Sequence, residues 1–209
     1  MIGTVERLQK DIAQLQTEIL SVASEIQETS GSYITVLAET VAKQALLSTY
    51  QLCTRAFPSR FLALSVYERQ QLQQDLRKLI TERQRQMPEE LIQAMQAASL
   101  ELNGFQEELD TIIARELKSL GDAISERLHE VSVLPEATSS AAEEDAPGVH
   151  LRLSEIEFAD RSVMGWRSQL RILSARLARL QRELVQKQEE QTVAAAEAAW
   201  RSTWSDESV

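Results

Sequence analysis

Apolar residues at Val5, Leu8, Ile12, Leu15, Ile19, Val22 and Ile26 alternate by three and four positions, with polar residues between them. A helix of 3.6 residues per turn gathers such a set on one stripe, so the spacing predicts an amphipathic helix with a heptad seam. The a positions (Val5, Ile12, Ile19, Ile26) are β-branched and the d positions (Leu8, Leu15, Val22) are mostly leucine, a combination that suits two-stranded parallel coils. A homodimer through this seam and packing within the chain are both compatible with the pattern. "TSGS", residues 29–32, interrupts it. Tyr33 to Ala56 then reads either as a second helix, with Leu37, Val41, Leu46 and Leu52 among its apolar residues, or as a kinked continuation of the first.

Pro58 disfavours helix at Phe57 and predicts a break in "FPSRF", 57–61. Ser65 and Glu68 match a capping box, followed by an apolar face at Leu72, Leu76, Leu79 and Ile80 that is expected to end near Gln86. Pro88 suits the first position of another helix, with Glu89 and Glu90 at its positive end. Its seam runs from Leu91 through Met95, Ala98, Leu102, Phe105, Leu109 and Ile112, then resumes one residue out of step at Leu117, Leu120, Ile124, Leu128 and Val131. Unbroken, that pattern predicts a long rod, with Gly104 or Gly121 as places to bend.

"PEATSSAAEEDAPG", 135–148, is polar and acidic with no apolar period, and reads as a flexible linker. Ser154 and Glu157 form a second capping-box pattern. They open a helix whose seam includes Ile156, Val163, Trp166, Leu170, Leu173, Leu177, Leu180 and Leu184. The expected organisation is a helical bundle over 1–134 with an N-terminal coiled-coil segment, an acidic linker over 135–153, a long basic helix over 154–204 packing on the first part, and a disordered tail over 205–209.

Composition supports the fold class. Six glycines and four prolines among 209 residues leave too few turns for an all-β or alternating α/β protein, and 5% aromatic content calls for thin aliphatic cores. The prediction is therefore all-α: long helices with heptad repeats in a bundle or antiparallel hairpin. The longest uncharged stretch, Gln44 to Thr54, is far short of the roughly 20 apolar residues that cross a bilayer, so no transmembrane segment is expected. With no apolar leader pattern near Met1 and a single cysteine, Cys53, the expected location is the cytoplasm.

Charge changes the picture of partners. A net charge of −10 works against general affinity for nucleic acid or anionic lipid. Yet Arg161 to Lys187 holds seven basic residues and one acidic one. Arg167, Arg171, Arg176, Arg179 and Arg182 lie among the leucines of that seam, and the alternative function is a peripheral regulator that binds nucleic acid or an anionic membrane surface through them. Residues 89–114 carry six acidic residues and no basic one, so an antiparallel pairing of the 88–133 helix with the 155–190 helix would set acid beside base. The first helix competes, because Asp11, Glu18 and Glu25 form another acidic ridge.

Chemistry of the enzymatic kind is not signalled. There is no glycine-rich phosphate loop, His129 and His150 are isolated in sequence, and Cys53 stands alone in a leucine-rich helix. Glu126 and His129 match one Glu-x-x-His pair of a di-iron bundle, whereas such a site needs two such pairs and two more glutamates. No catalytic residue, metal or cofactor is expected. Trp200 and Trp204, one turn apart in an alanine-rich helix, are the candidate partner-binding residues. The expected function is a non-enzymatic scaffold or adaptor that binds proteins through helix seams and this Trp-bearing tail.

Overall fold

Threonines that could break a helix instead satisfy themselves inside one. Thr17, Thr35, Thr40 and Thr49 each donate to the carbonyl four residues earlier, at 2.7–3.0 Å, so their hydroxyls do not compete for the backbone elsewhere. The first helix, α1 (Ile2–Gln51), accordingly runs straight through "TSGS". A computed structural model describes residues 2–97, 105–135 and 147–205, with the side chains of 5–94, 106–135 and 147–203. Among the described residues five further α-helices follow: α2 (Pro58–Ala63), α3 (Val66–Ala97), α4 (Phe105–Glu130), α5 (Leu153–Ala159) and α6 (Arg161–Ser205). The protein is an all-α helical bundle. Among the described residues there is no strand, and no helix is long and apolar enough to cross a membrane.

Two compact units share the chain, one made of 1–30 with 168–209 and the other of 31–167. In the first unit the two segments run antiparallel. Arg7, Leu8 and Asp11 lie against Gln186 to Glu197, which leaves the earlier part of α6 for the later part of the N-terminal segment. Leu8, Leu15, Val22 and Ile26 are buried there, as are Leu170, Leu173, Leu177 and Leu180. At about 1.5–3 kcal/mol for each large aliphatic side chain, this apolar seam outweighs surface ion pairs worth roughly 0–1 kcal/mol.

The second unit holds the larger core. Tyr33, Ile34, Leu37 and Val41 of α1, Leu72 and Leu91 of α3, and Leu109, Ile113, Leu117, Leu120, Ile124 and Leu128 of α4 are all but inaccessible. The expected rod from 88 to 133 is not observed. α3 and α4 pack antiparallel, with Arg83 donating to Ser119 at 3.1 Å and Arg127 paired with Asp75. Gly104, one expected bend, lies outside the described residues. Nor does a helix end near Gln86 or start at Pro88, since α3 continues to Ala97. Proline inside a helix costs about 3 kcal/mol, and burial of Met87 and Leu91 on either side offsets it.

Gly121, the other expected bend, serves a different purpose. Residues 147–150 cross α4 so closely that a Cβ at Gly121 would overlap the Val149 carbonyl. The Val149 N–H donates to Ser125 Oγ at 2.9 Å, that hydroxyl donates to the Gly121 carbonyl, and Val149 itself is buried. This end of the expected linker is docked; residues 136–146 and the terminal 206–209 lie outside the described ones.

The expected 154–204 helix is divided at Asp160, whose backbone is extended. Asp160 caps α6 by accepting from the Ser162 N–H at 2.8 Å and also receives the Thr40 hydroxyl at 3.2 Å. The Ser154–Glu157 capping box does not form: Arg152 holds the N-cap position of α5 and no side chain caps it. Glu157 faces inward instead. It accepts from Tyr33 Oη at 2.8 Å and lies 3.4 Å from Arg167 Nε. Arg167, 4% exposed, is also paired with Asp110 and sits 5.8 Å from the centre of the Tyr33 ring.

Candidate partner-binding groove

Pro58 shapes one end of a surface groove in the second unit. Its missing N–H ends the regular ladder of α1, and residues Leu52–Ala56 widen into a π turn closed by Phe57 N–H to Leu52 O at 2.8 Å. The chain reverses through α2 and re-enters helix at Ser65. There the expected capping box forms in full: the Ser65 N–H donates to Glu68 at 2.7 Å, and the Glu68 N–H donates to Ser65 Oγ at 3.2 Å. That start fixes α3 alongside the C-terminal half of α1.

Between the two helices lies an open apolar cavity of about 530 Å³. Leu46, Leu47, Tyr50, Cys53, Phe61, Leu72 and Leu76 form most of its wall, and Thr49, Thr54, Gln73, Lys43 and Arg77 supply the polar groups. A second cavity of about 300 Å³ shares Lys43, Leu46 and Arg77 with it and extends past Ala42, Ile80 and Thr81 to Glu39 and Gln84. Together they make one groove along residues 39–51 of α1, about 18 Å at 1.5 Å per residue, and on to Cys53 and Thr54 in the π turn. Leu46 is 49% exposed and Tyr50 58%, and Leu47, Leu62, Val66 and Tyr67 add exposed apolar surface in this part of the chain.

Two of its polar groups are already engaged within the helix. The Thr49 and Thr54 hydroxyls are taken up by the carbonyls of Ala45 and Tyr50. Burial pushes the Cys53 thiol up from its ordinary value, which keeps it protonated and a poor nucleophile. Glu126 and His129 gather no metal set, and no cluster of three or more His, Cys, Asp or Glu among the described residues could hold an ion.

The residues singled out in sequence are distributed differently. Leu170, Leu173, Leu177 and Leu180 are buried and Leu184 is half-buried, so this seam is spent inside the chain. Arg167 is withdrawn into its ion pairs and cannot join an anion-binding face. Arg171, Arg176, Arg179 and Arg182 are exposed, and among the described residues none of them is in an ion pair. Trp200 is 66% exposed, while the Trp204 side chain lies outside the described residues. One residue of each acidic ridge reaches the basic helix: Asp110 of α4 takes Arg167, and Asp11 lies near Lys187, which is also bound to Glu190 at 2.6 Å.

The sequence pattern does not single out the groove. Val41 and Ala45 face the core, while Leu46, Leu47 and Tyr50 extend the apolar surface round the helix beyond what one neighbour covers. That excess width is its one trace in the sequence. No protein-family model, curated protein or solved structure matches the chain.

Proposed function

We propose that this chain is a non-enzymatic interaction protein, a cytoplasmic adaptor or scaffold that binds partner proteins. The observation that carries the reading is the open apolar groove beside Leu46 and Tyr50. Large side chains left in water cost roughly 25 cal/mol for each Å² of apolar surface, and contiguous patches of this kind mark interaction surfaces. Trp200 is a second anchor, suited to an interface by its size and exposure. The α6 leucine seam is not part of the proposal, because its residues are covered by the chain itself.

The test is affinity purification with the intact chain, Leu46→Glu/Tyr50→Glu and Trp200→Ala in parallel, each verified as folded by circular dichroism. Partners held by the intact chain and lost from one of the variants support the reading. An identical set on all three counts against it.

A second reading rests on the exposed arginines of α6. Arg171, Arg179 and Arg182 lie on the side of α6 away from the leucine seam and Arg176 flanks it, all exposed, which would suit a nucleic acid or an anionic membrane. Binding of that kind weakens steeply with salt, so retention of labelled RNA or anionic vesicles at low salt, lost at high salt and in Arg171→Glu/Arg179→Glu, is its signature. No retention at low salt eliminates it.

A further inference from the structure

We infer that the groove between α1 and α3 takes an amphipathic α-helix whose apolar face is flanked by acidic residues; this rests on the proposed interaction function and specifies the partner. The shape comes first. Two antiparallel helices leave a trough that a third helix fills, and the 18 Å of α1 from 39 to 51 matches about three turns of a guest. Helix-in-groove recognition places guest anchors at i, i+3 or i+4, and i+7. Leu46, Leu47 and Tyr50 form one apolar turn of α1, and Leu72, Leu76 and Ile80 of α3 carry apolar contacts along the opposite wall for such anchors.

Charge then selects the guest. In the larger cavity the charged lining residues are Lys43 and Arg77, both basic, both exposed, and in no ion pair among the described residues. Glu39 is the acidic exception and lies in the narrower extension with Thr81 and Gln84. On a chain of net charge −10 this is a local positive site. Cations flanking an apolar floor attract a helix with carboxylates beside its leucines and repel one with lysines there. An extended strand is disfavoured, because the groove walls are helices whose backbone groups are already bonded and no sheet edge is present among the described residues.

The probes are two fluorescent 16-residue peptides with the same leucine face, one flanked by glutamate and the other by lysine, and sodium dodecanoate as a competing small amphiphile. The full chain is titrated by anisotropy. The glutamate peptide is expected to bind, at least tenfold more tightly than the lysine peptide. Leu46→Glu/Tyr50→Glu should weaken it at least tenfold, and Lys43→Glu/Arg77→Glu should reverse the preference between the peptides, a gain that misfolding cannot produce. Equal binding of both peptides, or a preference for lysine, overturns the partner chemistry. In that case the loss of natural partners from Leu46→Glu/Tyr50→Glu still reports a docking surface. Binding of dodecanoate without either peptide makes the groove a lipid-sized pocket and also overturns the inference, as does binding of none of the three.

Discussion

Tyr33 Oη donates a 2.8 Å hydrogen bond to Glu157 Oε1 across 124 residues of sequence, and Arg167 lies against both of them. A carboxylate, a phenol and a guanidinium are thus taken out of water together, with Asp110 as the second anion. Removing Arg167 leaves the inward carboxylate without its counter-charge, and we expect Arg167→Met to cost about 3 kcal/mol in urea unfolding. Tyr33→Phe, which deletes one hydrogen bond, should cost about 1 kcal/mol. A loss below about 0.5 kcal/mol for Arg167→Met would show that the cluster adds nothing.

The same cluster predicts behaviour in alkali. Burial, then the negative charge of Glu157, hold the Tyr33 phenol far above its ordinary value near 10. The folded state keeps this proton more firmly than the unfolded one. Its contribution is therefore full below about pH 10 and is lost as pH rises beyond that. Acid acts on other groups. The Ser65 backbone bond lowers Glu68, the Arg127 bond lowers Asp75, and the Ser162 backbone bond lowers Asp160. For depressed carboxyls the contribution is present above the unfolded value, about 4, and disappears as pH falls through the folded one. Urea midpoints should be flat near neutrality and decline at both ends; Tyr33→Phe should flatten only the alkaline limb, and Asp160→Asn only the acid limb.

Gly121 should resist even the smallest side chain. Gly121→Ala places a methyl where the Val149 carbonyl lies, and overpacking of this sort costs about 1–3 kcal/mol. The damage should be local: hydrogen exchange at the Val149 amide should accelerate, because its bond to Ser125 is broken. Gly31→Ala is the control, since no atom lies within 4 Å of its added carbon. An alanine at 31 removes a glycine from a helix interior and should raise stability by up to about 1 kcal/mol. Equal effects at the two positions would refute the assignment.

Along α6 the seam and the surface should separate cleanly. Leu177→Ala opens a cavity in the first unit and is expected to cost about 2–5 kcal/mol. Trp200→Ala and Arg179→Ala alter exposed positions and should stay within about 0.5 kcal/mol. Thermal unfolding decides this, and a Trp200→Ala loss comparable with that of Leu177→Ala would mean that the ring is structural.

Features set by near neighbours along the chain are legible in the amino-acid sequence itself. The break at Pro58, the Ser65–Glu68 box and the inward leucines from 170 to 180 all follow from chemistry within a few residues. What depends on distant partners is not legible there. A Ser154–Glu157 pattern looks like a cap, yet the carboxylate is claimed by Tyr33 and Arg167, which no local spacing announces. Pro88 looks like a beginning and is carried through a helix by the packing of Met87 and Leu91. The groove is hidden for a related reason: a leucine at 46 has the same character whether covered or bare, and only the placement of α3 leaves it uncovered.

The first unit joins residues 1–30 to residues 168–209. A ribosome makes the former well before the latter, so Leu8, Leu15 and Val22 emerge before Leu173 and Leu177 exist to shield them. Until translation reaches α6, the nascent chain carries a sticky ridge that a chaperone or a neighbouring polysome product can occupy. Timing, as much as affinity, then governs how this protein reaches its native state.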